Sequence, residues 1–243
     1  MINEVLIYLG IAIGYYIFSA SLALLIKKIV KVSSELWRKM LHLIAFNFVF
    51  VLLYVFPTWQ IAVTIVFVFM TAVYMILTLI EHLPQYSSSL SERKDGEIKM
   101  SLILICVMFI ILTVLFWGNL GTSGKYIILI SVMAWGYGDA AAALFGKRYG
   151  RHYLEHRFIE GKKTMEGTLA MFVVSLLAIF FTTTIYAGIS LNISFIIAII
   201  VAPICTIVEL FSRHGADTIT VPSSAAIATY LITYLLTFMG GII

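Results

Sequence analysis

Charged side chains are scarce in this sequence. Only 12% of its 243 residues are Asp, Glu, Lys or Arg, whereas 62% are apolar, and its mean hydropathy is +1.05. A soluble domain of this length cannot bury so much apolar surface, because the outside of such a domain has to be polar. The scarcity of charge excludes a soluble globular domain and predicts an integral membrane protein.

Cysteine is also rare, and several catalytic motifs are missing. Cys106 and Cys205, the two cysteines, both lie inside apolar stretches, so the sequence supports neither a disulfide framework nor a zinc site. It contains no HExxH zinc pair and no G-x-S-x-G nucleophile turn. The GKKT string at 161–164 lacks the earlier glycine that a nucleotide-binding P-loop requires.

Long apolar runs take the place of these motifs. A helix of about 20 apolar residues crosses a bilayer. We predict an all-α, polytopic helical bundle that forms a single domain over residues 1–243, with eight membrane spans at about 5–26, 40–56, 60–80, 100–117, 126–145, 167–187, 192–211 and 220–240. We expect the first span to remain uncleaved, because Glu4 is its only early charge and Lys27 and Lys28 follow it.

The basic residues predict the orientation of these spans. Fifteen of the 16 Lys and Arg residues fall in or beside alternate loops, at about 27–39, 81–99, 146–166 and 211–219, and only Lys125 falls on the opposite side. This bias marks the cytoplasmic side and places both termini outside. The net charge of +4 then follows from topology and an anionic inner leaflet, without a nucleic-acid partner. The polar loop at 82–99 suits either a lid or a disordered connection.

Two acidic residues lie within or at the end of predicted spans, where ionisable groups are costly and often functional. Asp139 lies in span 5, and Glu209 lies at the cytoplasmic end of span 7. Asp139 also suits a structural polar link between helices, and Glu209 also suits a marker of the interface. A seam of small residues, which allows a neighbouring helix to approach closely, is predicted around Asp139 at Gly136, Ala140, Ala143 and Gly146.

The EGKKTMEG stretch at 160–167 adjoins the predicted start of span 6. Thr164 is the predicted N-cap, and the unpaired N–H groups of such a terminus attract anions. Lys162 and Lys163 stand beside it, and Glu166 suits either the helix dipole or a cation. These residue types predict a site for phosphate and Mg²⁺, since Mg²⁺ prefers oxygen ligands. The further candidate nucleotide contacts are Lys147, Arg148 and Gly167, although Lys147 and Arg148 also suit a basic loop that only anchors the topology.

Two more stretches lie on the same predicted side. RHGADTITVPSSAA places Asp217 just before a proline-containing start of span 8, an arrangement that ordinary helix capping also explains. RKMLH places Arg38 and His42 four residues apart, on one helix face at the mouth of span 2. Arg38 also suits a side chain that only snorkels to the interface, and His42 also suits a satisfied interface histidine. All these residues are expected to meet near the inner headgroups, where a water-soluble phosphate donor reaches a lipid-embedded acceptor.

Three motifs resemble those of the polyprenol kinase family, which includes dolichol kinase and phytol kinase and has CTP-dependent diacylglycerol kinase as a relative. They are RKMLH at 38–42, GDAAAALFGKRYG at 138–150 and KKTMEGT at 162–168. Glu209 and Asp217 follow, and the resemblance covers about residues 35–228. One position departs from the family, which often has Asp-Asn where this chain has Asp217-Thr218.

The resemblance implies a CTP-dependent kinase that phosphorylates a membrane-embedded lipid alcohol with the help of a divalent cation such as Mg²⁺. Lys162 and Lys163 would hold the donor's phosphates, and Asp139, with Glu209 or Glu166, would bind Mg²⁺. Asp139 could instead accept the alcohol proton. The remaining contacts to phosphate or to the lipid hydroxyl would come from Arg38, His42 and Asp217.

Two other functions stay open from the sequence. A cytidylyltransferase that makes CDP-lipids would use the same nucleotide and metal, although its run of paired aspartates is missing here. A transporter would use Asp139 and Glu209 as coupling-ion sites. Its charges would be expected at the membrane midplane, whereas the charges of this chain are predicted to cluster at one face.

Overall fold

The computed structural model describes residues 2–30, 32–80, 96–157, 159–160 and 162–238. In this part of the chain, eight helices are long and apolar enough to cross a membrane, which confirms the predicted all-α polytopic bundle. They are α1 Ile2–Ile29, α2 Ser34–Tyr54, α3 Trp59–Ile80, α4 Glu97–Leu112, α5 Thr122–Tyr149, α6 Met165–Ile185, α7 Leu191–Phe211 and α8 Asp217–Phe238. Helix α4 continues through a π-helical turn at Thr113–Trp117 and a last turn at Gly118–Leu120.

Several helices begin or end outside the predicted spans. Helix α2 begins at Ser34, where the Ser33 hydroxyl accepts the N–H of Leu36 at 3.3 Å, six residues before the predicted start of span 2. The loop predicted at 27–39 therefore overlaps both the end of α1 at Ile29 and the start of α2 at Ser34. The first turns of α2 and α4 are polar, so the hydropathy of the sequence did not show where these helices begin. Residues 81–95 of the predicted loop 81–99 lie outside the described residues.

The helices form two compact units, Met1–Val114 and Leu115–Ile243, and nothing in the sequence marked this division. In the first unit, α1 packs on α2 and α3, and α4 packs on α2 and α3. The Tyr15 hydroxyl donates to the Ile44 carbonyl at 2.9 Å. Tyr16 stacks on Phe48 and on Phe69, with ring centroids 5.2 and 4.6 Å apart. Aromatic packing of this kind holds the first three helices together.

In the second unit, α5 packs on both α6 and α8, and α7 packs on the same two helices. Helix α5 is the most buried of the eight described helices. This position explains its composition, because a helix that is enclosed by its neighbours needs small residues where their backbones come close.

Glycine allows the close approach of α5 to α6. A Cβ atom on Gly138 would collide with the Ser175 hydroxyl and the Met171 sulfur, and the Ser175 hydroxyl donates to the Ala134 carbonyl at 2.9 Å. One helical turn apart, Gly138, Ala142 and Gly146 all contribute to this contact. Of the four residues in the predicted small-residue seam, Gly146 takes part in the contact with α6. The other two α5 residues in this contact are Gly138 and Ala142.

Gly138→Ala is expected to lower the melting temperature of the purified protein in detergent by several degrees. Forcing a methyl group into a packed contact costs about 1–3 kcal/mol. Gly14→Ala is the matched control, because a Cβ atom on Gly14 meets nothing within 4 Å. Thermal unfolding followed by circular dichroism measures both, and equal melting temperatures for the two variants would contradict the close α5–α6 contact.

Candidate functional site

The loop between α5 and α6 folds back on itself through backbone hydrogen bonds. The Leu154 N–H donates to the Lys163 carbonyl at 2.9 Å, and the Met165 N–H donates to the His152 carbonyl at 2.9 Å. An isolated antiparallel bridge pairs Tyr153 with Thr164. These bonds fix the backbone of KKTMEGT at the point where α6 begins.

Thr164 is the N-cap of α6, as predicted. It is buried, and its hydroxyl accepts the Gly167 N–H at 3.2 Å. The Glu166 carboxylate lies in the first turn and contacts the His152 ring Nδ1 at 2.7 Å. The prediction of unpaired N–H groups at this terminus is wrong for Met165 and Gly167, whose donors are bonded within the protein. An anion at this end of α6 would therefore rely on lysine side chains, because the protein itself caps the backbone.

Gly167 has a packing role that the sequence did not reveal. A Cβ atom there would lie 2.9 Å from the Ala142 carbonyl oxygen and 3.3 Å from the Gly146 Cα. These distances are shorter than ordinary van der Waals contacts, so Gly167 lets α6 start directly against α5. This packing accounts for the glycine, and its predicted role as a nucleotide contact stays a prediction.

Lys163 joins this loop to the end of α7. Its ammonium group lies 2.9 Å from Glu209 Oε1 and also donates to the Glu209 backbone carbonyl. The two side chains are only 21% and 12% exposed, so solvent screens their attraction less than at an open surface. The structure thus brings together two predicted site residues that are 46 positions apart in the sequence.

The loop between α7 and α8 docks on the same region. His214 has a left-handed backbone conformation, with φ 54°, and its N–H donates to Glu160 Oε2 at 2.6 Å. Arg213 donates to the Arg157 carbonyl. Each of these contacts has a backbone group as one partner, so no charge pattern in the sequence marked them, and no role was predicted for Glu160, His152 or His214.

Asp139 is half-buried in α5. Gly146 lies opposite Thr164 and Gly167, and Asp139 precedes Gly146 by seven residues, so it lies about 10 Å deeper along the helix at 1.5 Å per residue. Helix α5 also continues to Tyr149, four residues past the predicted span. Asp139 is therefore about 15 Å from the end of its helix, whereas the predicted end of span 5 at residue 145 would place it only about 10 Å from that end.

The remaining predicted residues of the second unit surround this end of the bundle. Lys147 and Arg148 are exposed in the last turn of α5, and Lys162 is exposed in the loop. Asp217 is half-buried and is the first residue of α8. Because α8 begins at Asp217, Pro222 lies in its second turn, whereas the sequence placed it in the first.

Arg38 and His42 lie in α2, within the first unit. Arg38 pairs with Glu35 at 2.5 Å. Together with Lys39 and with Ser101 of α4, both residues line a cavity of about 70 Å³. Lys39 is only 6% exposed, and neither Lys39 nor Ser101 was predicted as a site residue.

The carboxylates fit Mg²⁺ only in company with a nucleotide. Among the described residues, no three His, Cys, Asp or Glu side chains cluster closely enough to form a metal site. Glu166 contacts His152 and Glu209 contacts Lys163, so the predicted set of Asp139, Glu166 and Glu209 is not assembled. One or two carboxylates are nevertheless enough for Mg²⁺ when substrate phosphates supply further oxygen ligands.

Comparison with known proteins gives one similarity. The chain is 35% identical over 109 residues to a protein named phytol kinase from Synechocystis, and the match covers 44% of this chain and 43% of that relative. The chain thus matches less than half the length of the relative. No family model matches the chain, and no solved structure matches it.

Proposed function

We propose that this protein is a kinase that transfers the γ-phosphate of CTP to a membrane-embedded lipid alcohol of the phytol, dolichol or polyprenol type. The product is the lipid monophosphate, and the reaction takes place at the cytoplasmic leaflet. One observation carries the proposal. In the second unit, KKTMEGT, the end of α7 and the loop before α8 are tied together at one end of the helix that carries Asp139.

The similarity to phytol kinase supports the same reaction class. It agrees with the motif resemblance, which already includes phytol kinase. CTP as donor, Mg²⁺ as cofactor and dolichol as an alternative acceptor rest on the motif resemblance alone.

The nucleotide's phosphates are assigned to the basic end of the second unit. Lys162, Lys147 and Arg148 are exposed there, and cations of this kind neutralise phosphate oxygens. An ammonium group has three N–H donors, and Lys163 directs two of them to Glu209. Its third donor is assigned to a phosphate oxygen, so that Glu209 positions Lys163 for the nucleotide.

Asp139 has one of two roles in this proposal. It holds the Mg²⁺ that accompanies the nucleotide, or it accepts the proton of the alcohol. When bound, Mg²⁺ supplies positive charge to the phosphoryl group. Glu166 acts chiefly by holding His152, with which it pairs. Glu209 acts chiefly by holding Lys163 in place. Arg38 and His42 stay candidate contacts of the phosphate or the hydroxyl of the lipid, as the motif resemblance implies.

The transfer forms one bond and breaks one. The alcohol oxygen bonds to the γ-phosphorus as the bond between that phosphorus and the β,γ-bridging oxygen breaks, which leaves CDP. The alcohol proton passes to Asp139 or to water. Because this kind of transfer needs mainly positioning and charge neutralisation, the cations at the end of α5 are assigned to hold the phosphates, and Asp139 is assigned to act about 10 Å deeper along the helix.

The test is to supply purified protein with γ-labelled CTP or ATP and a panel of lipid alcohols, in detergent with Mg²⁺. We expect label in a lipid monophosphate and CDP as the second product, with CTP preferred over ATP. Pyrophosphate in place of CDP, with a CDP-lipid formed from a lipid phosphate, would assign the chain to the cytidylyltransferases. Nucleotide-independent solute uptake into proteoliposomes, without lipid phosphorylation, would make it a transporter.

A further inference from the structure

The cavity between α2 and α4 of the first unit changes from polar to apolar along both helices. Arg38, Lys39 and Ser101 lie in the second turns of these helices, and Ala45 and Ile105 follow one to two turns later. Both helices are long and apolar enough to cross a membrane. A ligand that suits this gradient has a polar end and a hydrocarbon chain.

The charge of the lining favours an anion. Two of the residues that line the cavity are cations, and none of the described lining residues is acidic. Glu35 pairs with the Arg38 guanidinium at 2.5 Å, but Glu35 is not one of the residues that line the cavity. Lys39 is 6% exposed, so an anion beside its ammonium group is attracted in an environment with little screening by water.

The size of the cavity limits which anion can enter. One water molecule needs about 10–15 Å³ of such volume, so 70 Å³ accepts a group of about five water-sized atoms. A single phosphate monoester group has that size. Pockets that enclose whole drug-sized ligands have volumes of about 300–1,000 Å³, so a nucleoside triphosphate does not fit inside.

We propose that this cavity binds the phosphate monoester end of the lipid product, with Lys39 and Ser101 as contacts in addition to Arg38 and His42. This inference rests on the proposed function for the identity of the lipid. A phosphate monoester carries up to two negative charges and the alcohol carries none, so the buried Lys39 ammonium group favours the product over the substrate. Arg38 contributes chiefly N–H donors, because Glu35 already balances its charge. The lipid phosphate is therefore a product inhibitor that competes with the lipid alcohol.

The test measures binding of radiolabelled phytyl monophosphate to the purified full chain in detergent, without nucleotide, so that no turnover is needed. We expect Lys39→Gln to weaken binding by at least about ten-fold, because it removes a hydrogen bond between two charged groups. Ser101→Ala should weaken binding by a smaller factor, and it serves as the second variant if Lys39→Gln fails to fold. Lys99→Gln is the matched control: Lys99 lies on α4 over the Tyr74 ring, outside the lining.

Equal affinity of wild type, Lys39→Gln and Ser101→Ala would overturn the assignment of this cavity. Displacement of the labelled lipid by inorganic phosphate at similar concentrations would assign the cavity to a free phosphate, and displacement by CTP would assign it to the nucleotide. Each result would overturn the inference. Failure of the proposed function is a separate result, because it is seen as absence of lipid phosphorylation in the transfer assay.

Discussion

Asp139→Asn is expected to reduce transfer of labelled phosphate from CTP to a lipid alcohol by about 10²–10⁴-fold, the range for loss of a positioned acid–base group. Asparagine has the shape of aspartate but carries no charge and accepts no proton at neutral pH. The substitution therefore removes both roles proposed for Asp139 while it keeps the side-chain volume in the half-buried site. The measurement is the initial rate of lipid monophosphate formation by purified protein.

Glu155→Gln is the matched control for this experiment. Glu155 is exposed in the loop between α5 and α6, and the substitution likewise replaces a carboxylate by its amide. Its rate should equal that of the wild type. If Asp139→Asn keeps full activity, the assignment of Asp139 is wrong and the proposed site loses its acidic centre.

Asp139→Glu separates the two proposed roles. It keeps a carboxylate but displaces it by one methylene, so residual activity can be followed. A metal ligand that has moved should raise the Mg²⁺ concentration needed for half-maximal rate. A base that has moved should lower the rate at saturating Mg²⁺ and leave the metal dependence unchanged.

Lys163→Met is expected to have the second largest effect, because Lys163 takes part in both folding and nucleotide binding in our proposal. Loss of one charged hydrogen bond to a phosphate should lower kcat/KM for CTP by about 10–100-fold. Loss of the contact with Glu209 should also destabilise the protein by about 1–3 kcal/mol, between the values for exposed and buried ion pairs. The two readouts are nucleotide kinetics and thermal unfolding in detergent.

A charge exchange separates these two contributions. The double variant Lys163→Glu with Glu209→Lys restores an ion pair between the loop and α7 but not the hydrogen bond to the backbone carbonyl of residue 209. It should therefore recover part of the melting temperature that Lys163→Met loses. It places the ammonium group on α7, so kcat/KM for CTP should stay low. Recovery of wild-type kinetics together with stability would show that Lys163 serves only to hold the loop.

Part of the candidate site could be predicted from local sequence. Thr164 is the N-cap of α6, as predicted, because capping depends on a hydroxyl placed just before an apolar helical run. Unpaired N–H groups at the same terminus were predicted wrongly. The Gly167 N–H is bonded by the capping Thr164 hydroxyl itself. The partner of the Met165 N–H is the His152 carbonyl, which depends on how the preceding loop folds back, and no helix signal contains that information.

The start of α2 shows that hydropathy alone does not predict where a helix begins. Its first turns contain Ser34, Glu35, Arg38 and Lys39, and an apolar count assigns such residues to a loop. A capped helix tolerates them, because its backbone hydrogen bonds are satisfied whatever the side chains are. Lys39 therefore belongs to the helix and not to a loop. It is buried, and it lines a cavity that the sequence did not indicate.

The sequence by itself determined the class of the protein and the existence of eight helices. These follow from composition and from runs of about 20 apolar residues, which are local properties of the chain. The scarcity of charge also marked the few ionisable residues that membrane insertion does not require.

Only the tertiary structure decided which of those residues meet. Lys163 contacts Glu209 across 46 positions, and His214 contacts Glu160 across 54, whereas Glu166 turns to His152 instead of joining a metal site. Each pairing depends on the packing of α5 against α6 and of α7 against both α6 and α8. That packing is a property of three-dimensional shape, set by glycines such as Gly138, and no periodic pattern along the chain encodes which partner a charge will find.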